Sequence, residues 1–89
     1  MNTFFTKNFK KNFNKRIKGN KSLENRFKER YDLFTDDSSN EVLNDHQLSG
    51  KLQGYRAFSI TGDIRVVYYA RKETAFFVDI GTHNQVYGN

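Results

Sequence analysis

The sequence predicts an α+β fold in which two N-terminal helices pack on an antiparallel β-meander. Three observations carry this. Apolar residues recur at helical spacing up to Phe34, the pattern turns to strand-like runs after Gly54, and the breaks at Gly62-Asp63 and Lys72-Glu73 are of hairpin length. The 89 residues contain no internal repeat and no Pro/Gly-rich linker, so they read as one domain spanning 1–89.

Each element has its own reason. Thr3-Phe4-Phe5 is short and apolar enough for a first strand. Phe9, Phe13 and Ile17 fall four residues apart and mark a first helix; after a break at Gly19-Asn20, the stripe Leu23, Phe27, Tyr31, Phe34 marks a second. Gly19 suits the end of the first helix, and Asn20 or Ser22 suits the start of the second, where a short polar side chain accepts a hydrogen bond from an orphan N–H. Asp36 to Asn44 has no period and reads as a loop. Tyr55–Thr61, Ile64–Arg71 and Thr74–Ile80 are rich in aromatic and β-branched residues and read as three consecutive strands. If both hairpin loops hold an odd number of residues, Phe58, Ile60, Val66 and Tyr68 face the helices together with Phe76, Val78 and Ile80. Ser59, Arg65, Val67, Tyr69, Phe77 and Asp79 then share the opposite face.

Composition narrows the function. Nine Phe and five Tyr give a small domain enough ring volume to build a core. There is no cysteine, hence no disulfide framework, no thiol nucleophile and no Cys-based zinc site. The longest apolar run, Val66 to Ala70, is far short of a membrane span, and the first residues lack the apolar stretch of a signal peptide, so a soluble cytoplasmic protein without a membrane partner is expected. The net charge of +5 is unevenly spread. Residues 1–34 carry ten basic and three acidic side chains, +7, whereas residues 35–89 carry five and seven, −2. Lys7, Lys10, Lys11, Lys15, Lys18, Arg26, Lys28 and Arg30 fall on the outer faces of the helices, either as a solvated surface or as one that meets phosphates or an acidic partner.

The chemistry available is limited. Two histidines, His46 and His83, sit at element edges; with no cysteine they are too few for a metal site. No Gly-x-Ser-x-Gly turn and no phosphate-cradling Gly-rich loop is present. Acid–base chemistry by imidazole, carboxylate and phenol is what remains, with Arg and Lys to hold an anionic substrate. That combination suits RNA cleavage without a metal or other cofactor.

Three ordered blocks sharpen this: His46-Gln47-Leu48-Ser49-Gly50-Lys51-Leu52-Gln53-Gly54-Tyr55-Arg56, then Ile60-Thr61-Gly62-Asp63-Ile64-Arg65-Val66-Val67-Tyr68, then Asp79-Ile80-Gly81-Thr82-His83-Asn84-Gln85-Val86-Tyr87. Together they resemble the signature of the RelE superfamily of toxins, closest to its YafQ-type mRNA interferase branch, and cover about half the chain directly. The resemblance implies a RelE-like fold and the toxin of a type II toxin–antitoxin system. Such a toxin enters the ribosomal 30S A site and cuts bound mRNA by attack of a ribose 2′-OH on the adjacent phosphate, until a cognate antitoxin encoded nearby covers it. Carried over by position, it implies His46, Asp63, His83 and Tyr87 as catalytic residues, with Arg65 and Lys51 toward the phosphate. Either histidine suits acid or base.

The chain departs from the YafQ-type pattern at Ser59, where members can show a further histidine, and at Ile64, where an aromatic can follow the Asp. Branches without the histidines use Lys, Arg and Tyr, for which Lys51, Arg56, Arg65 and Tyr87 are the counterparts. By its alternation with Phe58, Arg56 reads instead as a structural pair with a carboxylate from elsewhere. Asp63 after Gly62 also suits a turn for conformational reasons alone, and Asp45-His46 suits a turn cap. Tyr68 reads as core. The competing functions are a ParE-like toxin that inhibits DNA gyrase by protein contact, and a plain basic nucleic-acid-binding module.

Overall fold

Thr6 starts the first helix: its side-chain oxygen accepts a hydrogen bond from the Phe9 N–H at 3.2 Å, which satisfies one orphan donor. The computed structural model describes residues 1–88; Asn89, the last position of the expected domain, lies outside the described residues. A strand β1 (Asn2–Phe5) precedes Thr6, and two helices follow, α1 (Lys7–Arg16) and α2 (Lys21–Asp36). Gly19 takes a left-handed φ of +95° in the break between them. Asn20, not Ser22, caps α2, accepting from Leu23 N–H at 3.1 Å.

The segment expected as a plain loop contains a 3-10 turn, Glu41–Leu43, whose Leu43 is fully buried. Four strands then build the rest of the sheet: β2 (His46–Gln47), β3 (Arg56–Ser59), β4 (Ile64–Arg71) and β5 (Thr74–Thr82). The chain ends in a short helix, α3 (His83–Tyr87). The five strands lie in the order β1-β5-β4-β3-β2. β3, β4 and β5 form the expected antiparallel meander, but the whole sheet is mixed, because β1 pairs parallel with β5, Asn2 opposite Thr74 and Phe5 opposite Phe77. Side-chain alternation reveals a strand and its buried face but says nothing of the direction in which its partner runs.

The register separates the two hairpins. Thr61 to Asp63 leaves three residues between the Ile60–Ile64 backbone pair, and Phe58 stands opposite Val66 on the helix side as expected. Lys72-Glu73 is a two-residue loop, closed by Arg71 opposite Thr74 with Lys72 at φ +57°. An even loop puts Phe77, not Phe76, opposite Tyr68. A β-bulge at Val78 then restores the other parity, so that Ile80 pairs with Val66. The expected faces are therefore corrected on β5: Phe77 is fully buried in the core, whereas Phe76 lies on the outer face, stacked on Tyr69 at 4.9 Å and near Phe4 at 5.6 Å.

Phe77 is the centre of the core. Its ring lies within 5.4–5.7 Å of Phe5, Phe9, Phe34 and Phe58. Edge and tilted contacts of this kind add about 0.5–1.5 kcal/mol per pair beyond simple burial. Asp79, expected on the outer face, instead reaches α1: Oδ1 accepts from Asn12 Nδ2 at 2.7 Å and from Arg16 Nη1 at 3.2 Å. Arg30 also departs from its expected outward face. It is pinned between elements, Nη1 donating to the carbonyls of Val42 at 3.3 Å and Ser59 at 3.5 Å. Of the other seven, Lys7, Lys10, Lys11, Lys15, Arg26 and Lys28 are exposed on the two helices, and Lys18 is exposed in the turn that follows α1. No helix among the described residues is long and apolar enough to cross a membrane.

Candidate active site

One end of the sheet is flanked by the segment Asn44–Leu52 and by α3, leaving a cleft of about 610 Å³. His46, Lys51, Arg65, His83 and Tyr87 line it. They come from four different elements. His46 sits on the two-residue edge strand β2, Lys51 on the 3-10 turn Gly50–Leu52, and Arg65 near the start of β4, between Ser59 and Gly81 of the flanking strands.

His83 and Tyr87 share one face of α3 because they are four residues apart. Their rings meet edge to face, centroids 4.5 Å apart at 79°. α3 is short but firmly started. Thr82 Oγ1 accepts from Gln85 N–H at 3.3 Å while Gln85 Oε1 accepts from Thr82 N–H at 2.8 Å, a reciprocal capping box. The close return of Gln85 needs Gly81: a Cβ there would stand 2.6 Å from Gln85 Oε1 and 2.8 Å from Arg16 Nη1. The Thr82-His83-Asn84-Gln85 pattern was the available sequence signal for this helix, too short to show a period.

The electrostatics favour an anionic ligand. Arg65 Nη1 and Tyr87 Oη are both buried, and among the described residues neither has a hydrogen-bond partner. Unpaired polar atoms are costly to bury, so a cleft that holds two of them is built for a group that accepts hydrogen bonds. Burial raises the Tyr87 phenol above its ordinary value, and the Arg65 charge opposes the rise only in part. The hydroxyl therefore stays a donor. His46 has a defined tautomer: Nδ1 lies 2.8 Å from the Asn44 carbonyl oxygen, which only accepts, so in the neutral ring Nδ1 carries the proton and Nε2 the lone pair.

Asp63 is not brought to this cleft. It lies exposed in the β3–β4 turn, where its backbone N–H donates to Thr61 Oγ1 at 3.1 Å, the conformational role open to it from sequence. Ile64 is buried in the core beside it, so it offers no stacking surface, and Ser59 lies on β3 opposite Arg65. Arg56 has the carboxylate partner expected for it: Nε donates to Asp45 Oδ1 at 2.7 Å, and the other carboxylate oxygen accepts from the Tyr68 hydroxyl. Tyr68 is core, as read, but its hydroxyl has a second role that ring burial alone did not signal. Among the described residues no group of three or more His, Cys, Asp or Glu is placed to hold a metal ion.

No curated protein matches the chain. Among solved structures it is similar to YafQ from E. coli strain BL21(DE3), with 23% identity, 98% of each chain covered and a TM-score of 0.77. The E. coli DinJ-YafQ complex gives 24% identity, 98% of each chain and 0.74. The YoeB/ParE toxin from Agrobacterium tumefaciens gives 14% identity, 93% of this chain, 99% of that chain and 0.77. These likenesses establish a RelE/YafQ-like fold. The family model described as a bacterial toxin of type II toxin-antitoxin system, YafQ, matches residues 1–88, and the chain therefore belongs to the YafQ family of type II toxins.

Proposed function

We propose that the chain is a ribosome-dependent mRNA endonuclease that acts in the cytoplasm without a metal ion and is held silent by a cognate antitoxin. The observation that carries this reading is the cleft itself: two imidazoles share it with a guanidinium and a phenol whose buried donors have no partner among the described residues. In-line cleavage of RNA needs a base, an acid and donors for the phosphate oxygens, and no further group.

His46 acts as the base, because its free Nε2 carries the lone pair. It takes the proton of a ribose 2′-OH, the oxygen attacks the adjacent phosphorus, and the bond to the 5′-oxygen breaks. His83, entering as imidazolium, gives its proton to that oxygen. Arg65, Lys51 and the Tyr87 hydroxyl hold the charged phosphate oxygens between the two steps. The products are a 2′,3′-cyclic phosphate and a free 5′-OH. Asp63, outside the cleft, has no part in this scheme.

The exposed lysines of α1 and α2 supply a footprint for rRNA at the 30S A site, and equally for an acidic antitoxin segment. An antitoxin partner is supported by the similar E. coli DinJ-YafQ toxin-antitoxin complex. The test is induction of the wild type, His46→Ala and His83→Ala, with mapping of mRNA 5′ ends. New 5′-OH ends inside translated frames are expected, falling by about 100-fold or more in each variant. Growth arrest without new ends, or arrest unchanged in both variants, overturns the nuclease reading, and arrest with gyrase-dependent DNA breaks installs the ParE-like one.

A further inference from the structure

β2 is a weak platform for a reacting side chain. It is an edge strand of two residues, and His46 is exposed on it. Ladder hydrogen bonds alone leave such a segment free to fray, yet a proton-transfer group must be held to within a fraction of an ångström. The residue before His46 meets that need. The Asp45 side chain is only 7% exposed and is clasped from two neighbouring strands, by Arg56 of β3 at 2.7 Å and by the Tyr68 hydroxyl of β4. Arg56 and Tyr68 are themselves opposite one another in the ladder.

The clasp acts on His46 through the backbone. Asn44 is in the left-handed region, φ 50° and ψ 42°, and is fixed on one side by fully buried Leu43 and on the other by Asp45. Its carbonyl is the acceptor for His46 Nδ1. We infer that Asp45, clasped by Arg56 and Tyr68, is a positioning residue that fixes the Asn44 carbonyl and through it the tautomer and orientation of His46. The charge balance fits that role. Arg56 neutralises Asp45, so the cleft gains a rigid wall without a net negative charge beside a phosphate site. This inference rests on the nuclease reading only for its effect on cleavage.

The experiment is nitrogen-15 NMR of the imidazoles in the full chain, for wild type, Asp45→Asn and Tyr68→Phe, with mRNA cleavage measured in parallel. In wild type His46 shows a single Nδ1–H tautomer. In both variants its tautomers mix while His83 is unmoved, and cleavage falls between about 10- and 100-fold. A merely structural defect lowers the folded fraction but leaves the tautomer of the folded molecules unchanged. Should Asp45→Asn fail to fold, Tyr68→Phe decides alone, because it deletes one hydrogen bond and keeps the ring. An unchanged His46 tautomer in a folded variant overturns the inference. A shifted tautomer in chains that cut no RNA, wild type included, upholds it and removes the nuclease reading instead.

Discussion

His83 and Tyr87 stand one turn apart on α3 with their rings edge to face, and the Tyr87 hydroxyl beyond that contact is buried beside Arg65 with no hydrogen-bond partner among the described residues. Tyr87→Phe keeps the ring contact and deletes the unpaired hydroxyl. The free protein should gain up to about 1 kcal/mol in urea unfolding, since an unsatisfied buried group is relieved. RNA cleavage by the same variant should fall. A loss of stability in Tyr87→Phe would show that the hydroxyl has a partner in solution.

Phe77 and Phe76 give the second prediction. Phe77→Ala empties the centre of the core and should cost about 3–5 kcal/mol, enough to unfold a small domain. Phe76→Ala, on the outer face, should cost less than half of that, and the soluble yield and thermal midpoint of the two variants should differ accordingly. Equal losses would contradict the inward placement of Phe77 that the two-residue Lys72-Glu73 loop sets.

Alkaline stability should depend on Tyr68. Its phenol is pushed well above its ordinary value of 10.0, first by burial and then by the Asp45 carboxylate. In the unfolded chain it loses its proton near that ordinary value, whereas the folded chain keeps it. The unfolded state thus binds fewer protons, and stability falls as pH rises above about 10. The contribution is complete below that point. Denaturant midpoints measured up the alkaline limb should decline less steeply in Tyr68→Phe than in wild type.

Gly81→Ala should destabilise by about 1–3 kcal/mol, because its Cβ meets Gln85 and Arg16 at under 3 Å and the capping box of α3 must open. Gly62 has nothing within 4 Å and an ordinary φ, so Gly62→Ala is the matched control and should stay within about 0.5 kcal/mol of wild type. Chemical denaturation of the pair checks the difference.

The sequence made the two helices legible because Phe9, Ile17 and Phe34 repeat at a period that only one face of a helix satisfies, and all three are buried. The meander was legible for the same reason, but its second hairpin was not. Loop parity decides which of Phe76 and Phe77 turns inward, and Lys72-Glu73 closes tightly enough to use an even loop, with a bulge to reset it. The meeting of His46, Lys51, Arg65, His83 and Tyr87 followed from recognisable blocks, whereas composition offered only candidate groups. Asp63 belonged to the same blocks and still lies outside the cleft, exposed in the turn of Thr61, Gly62 and Asp63 that joins β3 to β4. The clasp on Asp45 is not legible in the sequence because its partners Arg56 and Tyr68 are 11 and 23 residues away, and no periodicity encodes contacts made across strands.

The parallel pairing of β1 with β5 has a consequence for synthesis. Asn2 waits for Thr74, and Phe5, Phe9 and Phe34 wait for Phe77, so the first strand and the first helices emerge from the ribosome long before their partner exists. Contacts this distant along the chain form late. The same stretch that closes the sheet also delivers Gly81, His83 and Tyr87. A nascent chain stalled before Thr74 therefore lacks both the centre of its core and the far wall of the cleft.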